Sequence, residues 1–236
     1  MKRFFQYHLR TTEVPAARTF YGAILGERQP EIFPLHEQAL ARGARPHWLG
    51  YLEVADVDAA LAAFVSRGAT PLGTKWLNAQ GLEAAVVRDP GGAILALAKP
   101  AASHAAEAAQ SRDLDVAWHV LHTNDVERAK ANYGELFGWH FEPPTDLGEL
   151  GVFHPFSWQR GGLVNGWMSD LKQRTGVHPH WLFHFRVSSL SPTIELLRAQ
   201  GGLVLGPYRS ADGHRIAVCD DPQGAAFALV STNDRP

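Results

Sequence analysis

Stretches in which polar and apolar residues alternate are interrupted by stretches with helical spacing of the apolar residues. The segment "FFQYHLRT", from Phe4, alternates and predicts a strand, whereas "VPAARTFYGAIL" has helical spacing and predicts a helix that Gly26 ends. "HWLGYLEV" predicts another strand, and "DVDAALAAFVSRG" predicts another helix with Asp56 as its N-cap. Short strands follow, and this order of strand, helix and several strands is an α+β pattern.

The same order of elements occurs twice, because three sequence landmarks recur. Residues 9–27 align with residues 121–139, including a Tyr-Gly pair near the end of each helix. Pro-His-Trp-Leu occurs at 46–49 and again at 179–182, and an Asp-Pro-x-Gly phrase with the chemistry of a hairpin turn then closes each half. A repeat of this length indicates two copies of one folding unit.

The repeat divides the chain into an N-terminal module, residues 1–98, and a C-terminal module, residues 115–236. Residues 99–114 are rich in alanine and predict a linker, partly helical, between the modules. The glycine that ends the first helix and the proline of Pro-His-Trp-Leu are 20 positions apart in the N-terminal module and 41 apart in the C-terminal one. The first part of the N-terminal module is therefore predicted to lack a hairpin.

Composition argues against several classes of partner. The 236 residues carry a net charge of −2, so no charge excess draws the chain to nucleic acid or to an anionic membrane. We expect no signal peptide and no membrane span, because no apolar run is long enough. The single Cys219 excludes an internal disulfide framework. We therefore expect a cytoplasmic protein whose partner is a small molecule, and we leave a homodimer open.

The segments "TNDVERAKANYGELFGW", the strand that opens on "HWL" and the closing "DPQGAAFALV" together resemble the vicinal oxygen chelate superfamily. This superfamily includes glyoxalase I, extradiol dioxygenases and bleomycin resistance proteins. The resemblance covers nearly the whole chain, twice. It implies modules of paired βαβββ units whose mixed sheets curl into open cups, with helices outside and the functional site inside the cup. Because the fold hosts many reactions, it does not by itself name one.

The resemblance also implies a divalent metal that histidines and a glutamate hold in the cup. At the matching positions this chain has residues that, except for Gln6, are not metal ligands. A shift of one residue at Trp118 would bring in His119, but that shift points the side chain to the opposite face of the sheet. We therefore expect no metal and no other cofactor. The matching positions are Gln6, Leu49 and Ala96 in the N-terminal module, and Trp118, Leu182 and Ala228 in the C-terminal module.

Counting along each strand from those positions identifies the side chains that face the cups. Aromatic walls with a few polar groups are typical of a small-molecule pocket, and histidine can act as an acid or a base near neutral pH. His122 and His184 are the candidates for a catalytic role. The expected ligand-binding residues are His8, Arg10, Tyr51 and Glu53 in the N-terminal cup, and Trp118, His122, His154, Trp167, His184 and Arg186 in the C-terminal cup.

Some of these residues have a second interpretation. Arg186 and Glu53 either contact a ligand or lie at strand ends and pair with each other across the contact between the modules. The segment "GVHPHWLFHFRV" places His178, His180 and His184 on one face of a strand. We favour a polar strand end with one cup-lining histidine over a metal site built from these three.

The Gly- and Pro-rich residues 143–156 form a candidate lid over the C-terminal cup. Trp158 either lines this cup together with Trp167 or belongs to the core, which is the commoner place for an aromatic residue. Asp89 and Asp221, in the Asp-Pro-x-Gly phrases, are expected to serve the turns.

Three hypotheses for function follow. The one we favour is a glyoxalase/bleomycin-resistance-like protein that binds a small organic molecule in a cup without the family's metal site. The second is a lyase, isomerase or dioxygenase-type enzyme of the same superfamily, which uses a divalent metal or a histidine acid/base. The third is a structural or dimer-forming protein whose cups are filled by side chains.

Overall fold

The structure is a computed structural model and describes residues 2–26, 30–78, 81–101, 114–148, 151–172, 176–209 and 214–231. Residues 102–113, most of the predicted linker, lie outside the described residues. The described chain forms helices α1 (Val14–Leu25), α2 (Glu37–Ala41), α3 (Val57–Val65), α4 (Val126–Phe137) and α5 (Leu190–Ala199). None of these helices is long and apolar enough to cross a membrane.

The N-terminal half of the chain forms one mixed sheet. Its strand order is β2-β1-β3-β7-β6-β4, and β5 pairs with β6. β1 runs parallel to β2 and β3 runs parallel to β7, whereas β6 and β7 form an antiparallel hairpin. The strands are β1 (Phe4–Thr11), β2 (Glu31–Pro34), β3 (His47–Glu53), β4 (Thr70–Pro71), β5 (Trp76–Leu77), β6 (Glu83–Arg88) and β7 (Ile94–Lys99).

The C-terminal half forms a second mixed sheet, with the order β10-β11-β12-β8-β13-β16-β15-β14 and with β9 paired to β11. β12 is parallel to β8 and β13 is parallel to β16. Two mixed sheets with helices confirm the predicted α+β fold. The strands are β8 (Val116–Thr123), β9 (His140–Phe141), β10 (Thr145–Asp146), β11 (Val152–Ser157), β12 (Gly166–Asp170), β13 (His180–Val187), β14 (Leu203–Arg209), β15 (Arg215–Asp220) and β16 (Ala226–Ser231).

The two halves differ between their first helix and the Pro-His-Trp-Leu strand. Between α1 and β3 the described chain forms strand β2 and the short helix α2, whereas between α4 and β13 it forms strands β9 to β12. The lid predicted over residues 143–156 is wrong, because this segment contains β10 and β11. Strand β11 pairs with β9, β10 and β12, and these backbone hydrogen bonds outweigh the local glycine and proline content.

By compactness the chain divides into two units, and each takes residues from both halves of the sequence. Each predicted module forms one sheet, whereas each compact unit contains strands from both sheets. The first unit comprises Met1–Gln6, Gly50–Ala109 and His119–Trp181, and the second comprises Tyr7–Leu49, Gln110–Trp118 and Leu182–Pro236.

The core of the first unit is largely aromatic. Phe64 of α3 meets Tyr133 and Phe137 of α4 edge-on, with ring centroids 5.9 and 5.8 Å apart. Trp139 stacks on Phe156 of β11 at 4.8 Å. All of these rings are buried, and removing such large apolar surfaces from water is a main driving force for folding.

The second unit has an aromatic core of its own beneath α1. The Tyr21 ring lies edge-on to Trp48 of β3 at 5.2 Å and to Phe227 of β16 at 5.5 Å. Trp48 also contacts Phe185 of β13 at 4.7 Å. These side chains alternate along their strands with the residues predicted to face the cups, and Phe185 lies on the side that was predicted to pack beneath the helices.

Candidate functional site

Strand register shows which side chains share the predicted cup face of the C-terminal sheet in the first unit. β8 and β12 pair so that His122 lies opposite Ser169 and Val120 opposite Trp167. β11 and β12 pair so that Phe153 lies opposite Ser169. Directly opposed residues point to the same side of a sheet. We call Val120, His122, Phe153, Trp167 and Ser169 the His122 face.

Two groups of rings meet at the His122 face. His180, the first residue of β13, lies with its ring centroid 5.0 Å from that of His122, and the His178 ring follows 5.1 Å from His180. Phe153 and Trp167 form an aromatic wall with ring centroids 5.4 Å apart. Phe153 is buried and Trp167 is half-buried, so the wall is held in place on one side and partly open on the other.

His180 has a defined protonation state. Its Nδ1 lies 2.8 Å from the backbone carbonyl oxygen of His178, and because a carbonyl only accepts, Nδ1 carries the proton and Nε2 the lone pair. Burial, with a smaller contribution from the His178 imidazole, lowers the pKa of His180 to about 4. At pH 7 His180 is therefore a neutral hydrogen-bond acceptor.

Sequence reasoning assigned His180 to the correct strand face but did not include it among the site residues. It also missed Phe153 and Ser169. For His180 a usable signal was present, since His178 and His180 are two residues apart at the start of a strand that carries a cup-facing histidine. For Phe153 and Ser169 no such signal existed, because their face depends on the register of β11 and β12.

His154, expected in the C-terminal cup, lies on the other side of the sheet from His122. It pairs with Met168, which in turn pairs with Leu121, so these three side chains share the face opposite the His122 face. Burial lowers the pKa of His154, and the positive charge of Lys130 on α4 lowers it further. The structure therefore does not bring His154 to the other predicted site residues.

His119 and Trp158 belong to a buried aromatic cluster. The His119 ring stacks on Phe4 at 5.5 Å and meets Trp158 edge-on at 5.1 Å. Its Nδ1 donates to the carbonyl oxygen of Asn165 at 3.1 Å, and burial lowers the pKa of His119 to about 4. His119 points away from the His122 face, as strand parity predicted, and Trp158 is a core residue.

His184 and Arg186 lie on the predicted cup face in the second unit, and the half-buried Trp118 lies on β8 in the same unit. His184 is buried and pairs across parallel strands with Ala228 of β16. Nε of Arg186 lies 3.1 Å from Oδ1 of Asp115, just before β8. Arg186 thus forms an ion pair at a strand end with Asp115, whereas its second interpretation had named Glu53 as the partner.

His8 and Arg10 meet two residues of β2 in the second unit. The parallel register pairs His8 with Glu31 and Arg10 with Phe33. Nε2 of His8 lies 2.5 Å from a Glu31 carboxylate oxygen, and the Arg10 guanidinium lies over the Phe33 ring at 4.8 Å. The structure therefore brings these two predicted residues together with an acidic and an aromatic neighbour.

Tyr51 and Glu53 lie on β3 in the first unit. Tyr51 is buried and pairs with Ala96 of β7, and the half-buried Glu53 pairs with Ala98. Both halves of the chain thus place a ring residue, Tyr51 or His184, directly beside the alanine at the family's glutamate position.

The residues at the family's metal-ligand positions do not fit a metal ion. Four of them have side chains that contain only carbon and are buried, and such side chains offer no lone pair to a metal. In the part of the chain that the structure describes, no group of three or more His, Cys, Asp or Glu residues is arranged to hold an ion. The four are Leu49, Ala96, Leu182 and Ala228, and the remaining positions, Gln6 and Trp118, are half-buried.

Comparison with curated proteins finds distant relatives, although no protein-family model matches the chain. The anthracycline biosynthesis proteins DauV of Streptomyces sp. (strain C5) and DnrV of Streptomyces peucetius are each 28% identical to this chain. The alignments cover 79% of this chain but only 66% of the length of each relative. A protein named putative glyoxylase CFP32, from Mycobacterium tuberculosis, is 26% identical over 94% of this chain and 92% of its own length.

Solved structures share the fold over 99% of this chain. The 2,3-dioxygenase LapB of Pseudomonas sp. KL28 superimposes with a TM-score of 0.61 over 93% of its length, at 14% identity. Homoprotocatechuate 2,3-dioxygenase of Brevibacterium fuscum, solved in complex with 3,4-dihydroxyphenylacetate, does so with a TM-score of 0.63 over 83% of its length, at 16% identity. These matches confirm the resemblance given by the repeated landmarks: the chain has the fold of the vicinal oxygen chelate superfamily.

Proposed function

We propose that the chain binds a small aromatic molecule on the His122 face and that it does so without a metal. The observation that carries this proposal is the position of the Phe153 and Trp167 wall on the same sheet face as His122, whose ring adjoins that of His180. Aromatic walls with a few convergent polar groups are the usual construction of small-molecule sites. The carbon-only residues at the family's ligand positions support the metal-free part of the proposal.

The aromatic wall supplies affinity and the imidazoles supply orientation. An aromatic ligand stacked on Trp167 gains roughly 0.5–1.5 kcal/mol beyond the burial of its apolar area. The buried Phe153 ring contacts the indole and restricts its motion, so little side-chain freedom is lost when the ligand binds. The imidazoles of His122 and His180 then offer hydrogen bonds to a polar substituent.

Two of the comparisons are compatible with an aromatic ligand. DauV and DnrV are named for anthracycline biosynthesis, and anthracyclines contain fused aromatic rings. The structural neighbour from Brevibacterium fuscum was solved with an aromatic compound. For this chain, an aromatic ligand is our proposal and rests on the composition of the His122 face.

A thermal-shift screen of aromatic compounds in the presence of EDTA tests the proposal, because a ligand that binds the native state raises its apparent stability. For a compound that binds, Trp167→Ala should lower the affinity about tenfold, which corresponds to roughly 1.4 kcal/mol. His154→Ala is the matched control, since His154 lies on the same sheet but on its opposite face. Binding that disappears in EDTA, or that Trp167→Ala leaves unchanged, would contradict the proposal.

A second candidate function is acid–base catalysis of the kind expected from glyoxalase-like enzymes. The relative named putative glyoxylase and the contact between the His122 and His180 rings favour it. Mass spectrometry of each bound compound after incubation separates the candidates, because a binding protein releases its ligand unchanged. If product forms, His122→Gln should abolish turnover while the affinity for the compound stays near that of the native protein.

A further inference from the structure

The Pro-His-Trp-Leu landmark holds its histidine in the same way in both halves of the chain. Nδ1 of His47 lies 2.8 Å from the carbonyl oxygen of Arg45, and Nδ1 of His180 lies 2.8 Å from the carbonyl oxygen of His178. In each case the imidazole donates to the carbonyl two residues earlier, because the carbonyl can only accept. The repeat therefore imposes one tautomer, with the proton on Nδ1 and the lone pair on Nε2.

The two copies differ in what surrounds the ring. The His180 ring lies between those of His122 and His178, at 5.0 and 5.1 Å. Nδ1 is occupied by the carbonyl, whereas no group of the described chain donates to Nε2 of His180. The ring is half-buried and shares its sheet face with His122. A fixed acceptor without a donor in the described chain therefore lies beside His122, which shares its sheet face with the aromatic wall.

We propose that Nε2 of His180 accepts a hydrogen bond from a hydroxyl group of the bound aromatic molecule, and that His180 thereby selects aromatic hydroxyl compounds over their methyl ethers and over aromatic carboxylates. This inference rests on the proposed function and names the chemical class of its ligand. A methyl ether has no proton to donate and leaves Nε2 unsatisfied when the ligand displaces water, which costs affinity.

The charge of His180 explains the discrimination against carboxylates. Burial lowers the pKa of this imidazole to about 4, so it is neutral at pH 7 and forms no ion pair with an anion. A carboxylate would also turn its lone pairs toward the lone pair on Nε2. A neutral hydroxyl group, by contrast, donates to Nε2 and keeps its own oxygen available as an acceptor.

Three compounds with one ring system test the inference by calorimetric titration in EDTA at pH 7.5: 1-naphthol, 1-methoxynaphthalene and 1-naphthoate. We expect 1-naphthol to bind about 5- to 10-fold more tightly than its methyl ether, the value of one net hydrogen bond, and 1-naphthoate to bind most weakly. Equal affinities for 1-naphthol and its ether would overturn this inference and leave the proposed function standing. If none of the three bound, the proposed function would fail together with the inference.

Variants of His180 assign the effect to one atom. His180→Phe keeps a ring but removes the acceptor, and it should reduce the affinity for 1-naphthol to that for the ether. His180→Gln keeps an acceptor oxygen and should retain part of the preference. His47→Phe is the matched control, because it removes the same hydrogen bond to a carbonyl in the other copy of the landmark. An unchanged preference in His180→Phe would contradict the inference.

Nuclear magnetic resonance of ¹⁵N-histidine reports the tautomer without any variant. Long-range nitrogen–proton spectra of the native protein should show His180 with its proton on Nδ1, and 1-naphthol should shift the Nε2 resonance toward the hydrogen-bonded position. A proton on Nε2 in the free protein would contradict the inference, even if the His180→Phe variant did not fold.

Discussion

The hydroxyl group of Tyr21 donates a hydrogen bond to Oδ2 of Asp221 across 3.1 Å, although 200 residues of sequence separate them. Both side chains are buried, and the indole Nε1 of Trp48 donates to the same hydroxyl oxygen at 3.2 Å. The other oxygen of Asp221, Oδ1, accepts from the backbone N–H groups of Gln223 and Ala225 in the turn. Asp221 therefore holds its own turn and anchors the helix of the other half.

The first unit contains the equivalent arrangement. Tyr133 of α4 donates to Oδ2 of Asp89 at 3.0 Å, the Trp181 ring lies edge-on to Tyr133, and Oδ1 of Asp89 accepts from the N–H of Ala93. The expectation that both aspartates serve their turns is confirmed, and their second role was missed. The repeated Tyr-Gly, Pro-His-Trp-Leu and Asp-Pro-x-Gly landmarks thus meet in one buried network in each unit.

Removing the Tyr21 hydroxyl should destabilise the protein. Tyr21→Phe leaves Oδ2 of Asp221 and Nε1 of Trp48 without a shared partner in a buried site. We expect the free energy of unfolding, measured by urea denaturation, to fall by about 1–3 kcal/mol. Tyr208→Phe is the control, since Tyr208 is exposed and should be nearly neutral. Equal losses in the two variants would show that the buried network contributes nothing specific.

The stability of the protein should depend on the ionisation of Asp89. Burial raises the pKa of Asp89 to about 6, against the hydrogen bonds from Tyr133 and Ala93 that lower it. Because the folded-state pKa lies above the unfolded value near 4, the folded state binds the proton more tightly. The proton on Asp89 therefore stabilises the folded state by about 3 kcal/mol below pH 4, and this stabilisation is lost as the pH rises through 6.

Asp89→Asn should remove this dependence, since an amide keeps an acceptor for Ala93 and cannot ionise. The measurement is the difference in unfolding free energy between variant and native protein over pH 4 to 7.5. Comparing variant with native protein is necessary because other groups also make stability depend on pH. The pKa values of His119 and His180 are lowered to about 4, and these two histidines make the stability of both proteins rise with pH. A difference that does not change with pH would contradict the raised pKa of Asp89.

The turn of the first unit has no room for a side chain at Gly91. A Cβ atom at this position would lie 1.9 Å from Oγ1 of Thr123, which is completely buried. In the second unit the matching turn residue is Gln223, and its Oε1 accepts a hydrogen bond from Thr11 at 2.6 Å. The two copies of the turn have therefore diverged in how they contact the equivalent threonine of the other half, Thr123 or Thr11.

Gly91→Ala should therefore lower the free energy of unfolding by about 1–3 kcal/mol, because overpacking a buried contact forces neighbouring groups to move. Gly73→Ala is the control, since a Cβ atom there has no neighbour within 4 Å. Thermal or urea unfolding of both variants measures the effect. If Gly91→Ala were as stable as Gly73→Ala, Thr123 would have to move away without cost.

Local patterns accounted for much of the fold. Alternation along "HWLFHFRV" predicted that Phe183 and Phe185 pack inward while His184 faces the other side, and the structure places them so. The turn role of Asp221 was also predictable, since proline and glycine beside it specify the hairpin. These features depend on residues that are close in the chain, and their physical causes are therefore visible in the sequence.

Register decided the features that the sequence could not show. His154 is one of three histidines expected in the C-terminal cup, and one residue of register between β11 and β12 determines whether it shares a face with His122 or with Leu121. Residues 143–156 had the composition of a loop, but pairing on both sides of β11 made part of this segment a strand.

The sequence by itself determined the duplication, the α+β fold with its strand faces, and the carbon side chains at Ala96 and Ala228, because repeats, periodicity and residue chemistry are properties of the chain. Only the tertiary structure decided that His180 adjoins His122 and that Tyr21 and Tyr133 hold the aspartates of the opposite halves. Such contacts join residues far apart in the sequence, and only strand register and helix packing bring them within hydrogen-bonding or van der Waals distance.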